Sequence, residues 1–361
     1  MKVRYHAHHL ELSGYGKAAA GNIEALRRVG VEVEVLPVDT RSAYSQEVDV
    51  AIYHTTPHRL ATIVPPPEKR MFAKKHVAFT TWETDPMPEH HQETLDTFDA
   101  VIMPSEFCVN MAQRIGFKNT FIVPHGFDPV AWPVGEKSLD DDIYTFYSIG
   151  AWGERKNMLG VLKAYLHAFT KEDCTRLVMI IDKVDFQAIH SVIARSMIPK
   201  EELPGLLIPD GRLSDAEILK LHQESDCFVT ATRGEGFGLP IFEAAVMGNP
   251  VISPGFGAQT EFLFFKKEHM EVPFSMTPVF PGENEISVSG NQMVLKTTLA
   301  NGSDCKQMWA EPDLVDLAVA MRIRRFGTRY SNDLRKHYEE NYSFDAIGKK
   351  FLQALNQILE S

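Results

Sequence analysis

Short apolar runs alternate along the chain with longer stretches of helical periodicity, and this alternation predicts βα units rather than a β-sandwich or a helical bundle. In the first half we expect one doubly wound parallel sheet with helices on its faces. Its first helix should extend from about Tyr15 to Val29, where Gly30 would end it in a left-handed conformation. The predicted strands of this half are Val3–Ala7, Val31–Leu36, Val48–Tyr53, Val77–Thr81, Ala100–Met103 and Phe121–Val123.

A turn-rich stretch without clear periodicity interrupts the pattern, which restarts at Tyr144. We therefore predict a Rossmann-like domain over residues 1–135, a second Rossmann-like domain over 140–340, and a final helix, 341–361, that crosses back to the first domain. Residues 265–306 lack periodicity, which indicates an insertion or a lid. The strands predicted in this half are Tyr144–Ile149, Leu177–Ile181, Leu206–Ile208, Cys227–Thr230 and Val251–Ser253, and the last helices are Pro312–Arg325, Asn332–Asn341 and Phe344–Leu359.

Composition sets broad limits on this α/β fold. The chain has 361 residues, of which 44% are hydrophobic and 24% charged, so it is long enough for two domains and too apolar to be disordered. Two doubly wound sheets are expected to face each other across a central cleft, where such folds bind ligands. A net charge of −11 argues against a surface that binds nucleic acid or anionic lipid throughout, but leaves local basic patches open.

Cysteine spacing and the N-terminus indicate the compartment. The four cysteines lie more than 50 residues apart without a Cys-x-x-Cys pair, so we expect buried free thiols rather than zinc ligands or disulfides. The N-terminus enters a predicted strand without the apolar core of a signal peptide, and no apolar run approaches the ~18 residues of a membrane span. We expect a cytoplasmic protein, with peripheral membrane contact left open.

The most informative stretch runs from Thr232 to Ala245, directly after a predicted strand. Its glycines at 234, 236 and 238 allow the backbone to approach a ligand closely, and Pro240 suits the first turn of a following helix. The amides there would face an anion such as a diphosphate. Glu235 in the loop and Glu243 in the helix can accept hydrogen bonds from vicinal sugar hydroxyls. The alternative is a tight turn in which Glu243 is only a favourable first-turn charge.

Two further elements occupy positions suited to phosphate contact. Arg155 and Lys156 follow the first predicted strand of the second domain, where two cations can neutralise a departing diphosphate. A solvated helix start is the alternative. Gly14 and Gly16 lie between the first predicted strand and helix, where βα units cradle phosphates, although a plain connection explains them nearly as well.

The stretch that starts at Thr232 resembles the signature of glycosyltransferase family 4, in which seven residues separate two glutamates. The similarity extends to Ser225–Val229 before the motif, to Gly248–Ile252 after it, and to Trp309–Ala318 near the end. It covers nearly the whole chain and is strongest over residues 144–320. The resemblance implies the GT-B fold, with a first domain that binds the acceptor and a second that binds the donor.

A member of this family would move a sugar from a nucleoside diphosphate sugar, UDP- or GDP-linked, to a hydroxyl of a glycan or glycoconjugate. The resemblance implies retention at the anomeric carbon and no essential metal or other cofactor. It assigns the donor phosphates to Arg155 and Lys156, of which only the lysine matches the family directly. It assigns the donor sugar to Glu235 and the ribose to Glu243. The other implied donor-binding residues are Gly14, Gly16, Arg212, Leu213, Gly236, Phe237, Gly238 and Leu239.

On the acceptor side, the fourth predicted strand is followed by Trp82 and Glu83. Many family members have a histidine here. This chain instead resembles a Trp-Glu variant of some bacterial and phage members, which implies that Glu83 orients the acceptor hydroxyl. A packed tryptophan beside a solvated glutamate is an equally good interpretation. His54 and His58 are further acceptor-side candidates, although a structural histidine is the commoner outcome.

The motifs leave the acceptor open. The basic segment Lys69–Lys75 could contact a lipid headgroup, a phosphorylated glycan or nucleic acid, or form a solvated surface helix. One alternative function is therefore a phage-type glycosyltransferase that modifies a nucleic-acid base. Another is a non-transferase GT-B protein, such as an epimerase, a phosphorylase or a silent sugar-nucleotide binder. Asp140–Asp142 contains Asp-x-Asp, the metal-binding signature of the other major glycosyltransferase fold, but it lies in a linker. No acidic or cysteine partner falls at metal-binding spacing from His6, His8, His9, His90 or His91, so we expect no essential metal.

Overall fold

The computed structural model describes residues 1–8, 13–40, 47–70, 72–134, 142–209, 211–264, 267–279, 307–326 and 332–361. The chain divides into two compact units. The first consists of Met1–Ala131 together with His337–Ser361, and the second is Trp132–Lys336.

The first unit contains a parallel six-stranded sheet. Its elements in chain order are β1 (Lys2–Ala7), α1 (Gly14–Arg28), β2 (Glu32–Pro37), β3 (Val48–His54), α2 (Pro57–Ile63), β4 (Ala73–Phe79), α3 (His91–Leu95), β5 (Ala100–Met103), α4 (Glu106–Arg114) and β6 (Thr120–Ile122). The strand order is β2-β1-β3-β4-β5-β6, and every pair is parallel. The order reverses between β1 and β3, which is the switch point of this sheet.

The second unit contains another parallel six-stranded sheet and a small antiparallel pair. Its elements are β7 (Tyr144–Ala151), α5 (Met158–Ala168), β8 (Thr175–Asp182), α6 (Phe186–Arg195), β9 (Gly205–Leu207), α7 (Asp215–Glu224), β10 (Cys227–Val229), α8 (Leu239–Val246), β11 (Val251–Pro254), α9 (Thr260–Leu263), β12 (Met270–Val272), β13 (Phe274–Pro278), β14 (Met308–Pro312) and α10 (Leu314–Arg325). Helix α11 (Asn332–Tyr342) spans the boundary between the units, which falls after Lys336. The strand order is β12-β11-β10-β7-β8-β9, with the switch point between β10 and β7.

The final helix, α12 (Phe344–Glu360), belongs to the first unit. One face of α12 is apolar and lies in the same hydrophobic core as Ile23 and Leu26 of α1. Burial of four large side chains contributes roughly 1.5–3 kcal/mol each, which is enough to anchor the end of the chain to this sheet. The buried residues of α12 are Ile347, Phe351, Leu355 and Ile358.

Every strand predicted from the apolar runs overlaps a strand of the structure. The main difference is in β4, which begins at Ala73 rather than Val77 and ends at Phe79 rather than Thr81. Its partner β3 ends at His54, and the register pairs His54 with Phe79, so the ladder ends there although the apolar run continues. Gly30, with φ 81°, ends the α1 region in the left-handed conformation that the sequence predicted.

The interpretation of residues 265–306 as one irregular insertion or lid is wrong for its described part. Strand β12 forms the edge of the second sheet, and β13 pairs with β14. Strands of three to five residues are too short to show a readable period, which explains why the sequence pattern missed them. Residues 265–266 and 280–306 lie outside the described residues.

Three cysteines fall within the described residues. Cys108 and Cys227 are buried thiols, as expected, whereas Cys174 is exposed. Cys174 has φ 50° in the turn before β8, so the chain reverses at the surface there instead of entering the core. Cys305 lies outside the described residues.

Candidate functional site

The loops after β7 and β10 leave the second sheet at its switch point, where open α/β sheets bind ligands. The first loop carries Arg155 and Lys156, and the second carries the glycine-rich stretch with Glu235. A backbone hydrogen bond from Arg233 N to Arg155 O (2.7 Å) joins the two loops. The structure therefore brings these predicted donor residues to one edge of one sheet.

The glycine-rich loop turns sharply into α8. Gly238 is the N-cap of this helix, with φ 87° and ψ 59°, and Pro240 lies in the first turn. A Cβ on Gly238 would adopt a left-handed conformation and lie 3.1 Å from Ile241 Cδ1. Behind the loop, Gly257 (φ 97°) lies so close that a Cβ would come within 3.1 Å of Glu235 N. Because the first amides of a helix have no intrahelical acceptor, this end of α8 has the chemistry of an anion site.

Glu235 is the centre of a buried ion cluster. Lys156 Nζ lies 2.6 Å from its Oε1, and Arg155 NH1 lies 3.3 Å from its Oε2. Thr232 Oγ1 donates a further hydrogen bond to Oε1 at 2.9 Å. The Glu235 side chain is only 7% exposed. The sequence predicted two phosphate-binding cations and a separate sugar-binding carboxylate, and the structure brings all three groups into contact.

The electrostatics of this cluster keep Glu235 ionised. Burial alone would raise the pKa of Glu235. The charges of Lys156 and Arg155, together with the hydrogen bonds from Lys156 and Thr232, outweigh burial and hold the pKa below its ordinary value. One carboxylate is thus set against two cations, and the cluster keeps a net positive charge for an anionic ligand.

The backbone that presents Lys156 has an unusual conformation. Asn157 is the N-cap of α5, with φ 49° and ψ 46°, and its side chain accepts a hydrogen bond from Gly160 N at 3.1 Å. Asparagine adopts this region more readily than most residues because its short polar side chain can bond locally. Unusual backbone geometry of this kind is common at functional sites.

Arg233 connects three parts of this edge, and the sequence analysis did not single it out. Its NH2 lies 3.1 Å from Glu311 Oε1, its NH1 donates to Glu154 O, and the guanidinium lies 5.2 Å from the centre of the Trp309 ring. Ala310 N donates to Arg233 O at 2.9 Å. These contacts fix both loops against β14. The sequence feature that could have indicated a role for Arg233 is its position as a basic residue inside the glycine-rich motif.

Glu243 lies one turn into α8, and its side chain is 14% exposed. Its Oε2 lies 3.8 Å from Nε2 of His222, which is buried in α7. The sequence pattern did not indicate His222, because the contact joins two separate helices. The partly exposed carboxylate keeps the capacity to accept hydrogen bonds from ligand hydroxyls.

Arg212 and Leu213, two of the implied donor-binding residues, lie just before α7. The Arg212 guanidinium makes a bidentate contact with Asp182 at the end of β8, with Nε–Oδ1 3.0 Å and NH2–Oδ2 2.7 Å. The hydrogen bond from Arg212 holds the pKa of Asp182 below its ordinary value. Because the pair joins this loop to the carboxyl end of β8, the Arg212–Leu213 backbone has a fixed position near the same sheet edge.

In the first unit, the predicted phosphate loop is part of a helix. Helix α1 begins at Gly14, so Gly14 and Gly16 lie in its first turn rather than between strand and helix. The reason is a polar cap, since Ser13 Oγ accepts a hydrogen bond from Gly16 N at 3.1 Å. This helix start follows β1, beside the switch point of the first sheet.

The acceptor-side candidates differ in their surroundings. Trp82 is buried after β4, and Glu83 beside it is half-buried. His54 is buried at the end of β3, 2.9 Å from Tyr5 Oη, and burial holds the pKa of His54 well below its ordinary value. This burial and hydrogen bonding favour the interpretation of His54 as a structural histidine. Glu83 and His58, which is half-buried on α2, stay acceptor-side predictions.

The basic segment 69–75 is not a solvated surface helix: β4 begins within it at Ala73, and a 3₁₀ turn, Pro67–Lys69, comes before it. The Arg70 guanidinium lies 4.1 Å from the centre of the Phe98 ring, and Lys74 Nζ lies 2.7 Å from Asp49 Oδ1. Arg70 and Lys74 thus have contacts within the protein, and contact of this segment with an acceptor stays a prediction.

Among the described residues, no group of three or more His, Cys, Asp or Glu side chains is arranged to hold a metal ion. His9, Asp140 and Asp141 lie outside the described residues. No described helix has both the length and the apolar character needed to cross a membrane.

Solved structures of similar architecture identify the fold. HepE of Anabaena, solved in complex with UDP and glucose, is 13% identical to this chain and aligns over 99% of it and 100% of its own chain, with a TM-score of 0.65. The lipopolysaccharide outer core galactosyltransferase WaaB is 12% identical and aligns over 99% of both chains, with a TM-score of 0.63. These similarities confirm the GT-B fold that the resemblance implied.

Sequence comparisons add a relative that aligns with part of the chain. No family model matches the chain. A putative glycosyltransferase of the Sulfolobus islandicus filamentous virus is 24% identical over 159 residues, which is 44% of this chain and 40% of the viral protein. The alignment thus spans less than half of either protein. The chain is similar to glycosyltransferases in sequence over part of its length and in fold over nearly all of it.

Proposed function

We propose that this protein is a retaining glycosyltransferase that moves a sugar from a UDP- or GDP-sugar to a hydroxyl of a glycan or glycoconjugate. The observation that carries the proposal is the cluster of Arg155, Lys156 and Glu235 beside the start of α8, at the switch point of the second sheet. Two cations and a helix N-terminus suit a diphosphate, and carboxylates suit sugar hydroxyls. The fold shared with HepE, which was solved with UDP and glucose, supports the same function.

In the proposed reaction, the bond between the anomeric carbon and the diphosphate oxygen breaks while a bond to the acceptor oxygen forms on the same face. The leaving phosphate oxygen takes the acceptor proton, so the step needs no protein base. Arg155, Lys156 and the amides at 236–239 stabilise the charge that develops on the diphosphate. Catalysis then consists mainly of positioning and charge stabilisation.

Donor binding would replace the contacts of Arg155 and Lys156 with Glu235 by contacts with the donor. In the structure, Glu235 contacts both cations. A diphosphate offers Arg155 and Lys156 more negative charge than one carboxylate, which would leave Glu235 to accept hydrogen bonds from the donor sugar and Glu243 to accept them from the ribose. Since Arg155 and Lys156 supply the positive charge that a metal ion would otherwise provide, we propose that transfer needs no metal and persists in EDTA.

The test is a thermal-shift and hydrolysis panel over UDP-, GDP-, ADP- and CDP-sugars, repeated with variants. Lys156→Ala and Glu243→Ala should each lower transfer by ~100-fold or more, because each removes a group that stabilises the bound donor or its leaving group. Exposed residues of the same unit provide matched controls, and Lys163→Ala and Glu224→Ala should leave transfer unchanged. Near-normal turnover in Lys156→Ala or Glu243→Ala would contradict these roles, and no shift with any of the four donors would contradict the function.

A further inference from the structure

A buried polar network lies behind Glu243 in the second unit. Tyr147 Oη is 2.8 Å from His222 Nδ1, and Asn249 Nδ2 is 2.7 Å from Tyr147 Oη and 2.8 Å from the carbonyl oxygen of His222. His222 and Asn249 have no exposed surface. The remaining ring nitrogen of His222, Nε2, makes no hydrogen bond in the structure and lies 3.8 Å from Glu243 Oε2. A buried imidazole is thus directed at the carboxylate that we assign to the ribose.

The hydrogen bonds determine where the imidazole carries its proton. The carbonyl oxygen of His222 can only accept, so the Asn249 side-chain atom beside it must be the nitrogen. This nitrogen also donates to Tyr147 Oη. Burial raises the pKa of Tyr147 well above its ordinary value, so the phenol stays protonated. Its Oη has two hydrogen-bonding partners among the described residues, and His222 Nδ1 is the one that can accept the phenol proton.

It follows that the proton of the imidazole is on Nε2, the nitrogen that faces Glu243. The hydrogen bonds are donated in one direction, from Asn249 to Tyr147 and from Tyr147 to His222. The ring of Trp132 lies 5.8 Å from the ring of His222 and restricts its movement from another side. A hydrogen bond from this buried donor to an ionised acceptor is stronger than one in water.

We propose that His222 is a positioning residue for the nucleotide site: when the donor binds, its Nε2–H donates to Glu243 Oε2 and holds the carboxylate in the orientation that accepts the ribose hydroxyls, and Tyr147 and Asn249 fix the tautomer. The inference rests on the proposed function, because it takes the ribose as the ligand of Glu243. A side-chain rotation that shortens the 3.8 Å separation to hydrogen-bond length would complete the contact when the donor binds.

The experiment compares the binding of UDP and 2′,3′-dideoxy-UDP by calorimetry, because only UDP offers hydroxyls to Glu243. In the wild-type protein UDP should bind more tightly. His222→Leu should weaken UDP binding by ~10-fold and leave binding of the dideoxy nucleotide unchanged, because the loss of one hydrogen bond to a charged group acts through the ribose. A purely structural role would weaken both ligands equally.

Two further variants distinguish the loss of the positioning role from a folding defect. His222→Gln retains an N–H near the position of Nε2 and should restore most of the preference for UDP. Tyr147→Phe removes the group that fixes the tautomer and should reduce this preference without abolishing it. If the wild-type protein does not distinguish the two nucleotides, the ribose assignment of the proposed function fails. If it does and His222→Leu retains the same preference, our inference is overturned while the proposed function stands.

Discussion

The substitution Lys156→Met removes the closest cation of Glu235 and keeps a side chain of similar length. Breaking a buried ion pair by removing one partner costs about 3–5 kcal/mol, because the other charge stays buried. Here the Lys156 side chain is 21% exposed and that of Glu235 is 7% exposed. Arg155 and Thr232 still contact the carboxylate in the variant. We therefore expect the lower end of that range, a loss of about 3 kcal/mol in the free energy of unfolding at pH 7.

The pH dependence and a double variant sharpen this prediction. Without Lys156, burial is opposed by less positive charge, so the pKa of Glu235 rises. The penalty should therefore shrink as the pH falls and Glu235 is protonated. The double variant Lys156→Met with Glu235→Gln leaves no unpaired carboxylate and should recover most of the lost stability. It should still fail to transfer sugar, because both proposed donor contacts are gone.

Urea denaturation followed by tryptophan fluorescence and circular dichroism provides the assay. Lys163→Met, an exposed lysine on α5, is the matched control and should stay within about 0.5 kcal/mol of the wild-type protein. Two results would refute the reasoning. One is a Lys156→Met variant as stable as that control, and the other is a double variant less stable than the single one.

Two further predictions concern stability. Gly238→Ala should cost about 1–2 kcal/mol in urea denaturation, because alanine is strained at φ 87°, whereas Gly14→Ala, where a Cβ would meet nothing within 4 Å, should not destabilise the protein. Burial lowers the pKa of His91 and of His125 to about 3, from 6.5 when unfolded. As the pH falls below 6.5 the unfolded chain binds protons first, so each histidine should cost about 1.4 kcal/mol of stability per pH unit until about pH 3. Melting temperatures that are flat between pH 6.5 and 5 would contradict this.

The strands were predictable because parallel strands buried on both faces appear as apolar runs. β5 matches its predicted bounds, Ala100–Met103. The ends of strands were less predictable where pairing with a neighbouring strand determines them. In β4 the pairing with β3 ends at Phe79, although the apolar run continues. The antiparallel pair of β13 and β14 was missed because the two strands are short and pair with each other across a long sequence separation, so neither shows a local period.

In the candidate site, the residue types were predictable but their partners were not. Glycines, carboxylates and cations after strands suggest a diphosphate site from local sequence alone. The contact of Glu235 with Lys156 joins loops about eighty residues apart, and no local pattern shows it. Arg233 and His222 were missed for the same reason, since their contacts belong to the packing of separate elements.

A crystal structure of the protein with UDP bound tests the central claim most directly. We predict that the diphosphate contacts Lys156 Nζ and the amides at 236–239, that the ribose hydroxyls lie on Glu243, and that Lys156 has moved from its 2.6 Å contact with Glu235 towards the phosphates. A nucleotide bound away from the start of α8, with Glu235 and Lys156 still paired, would contradict the account.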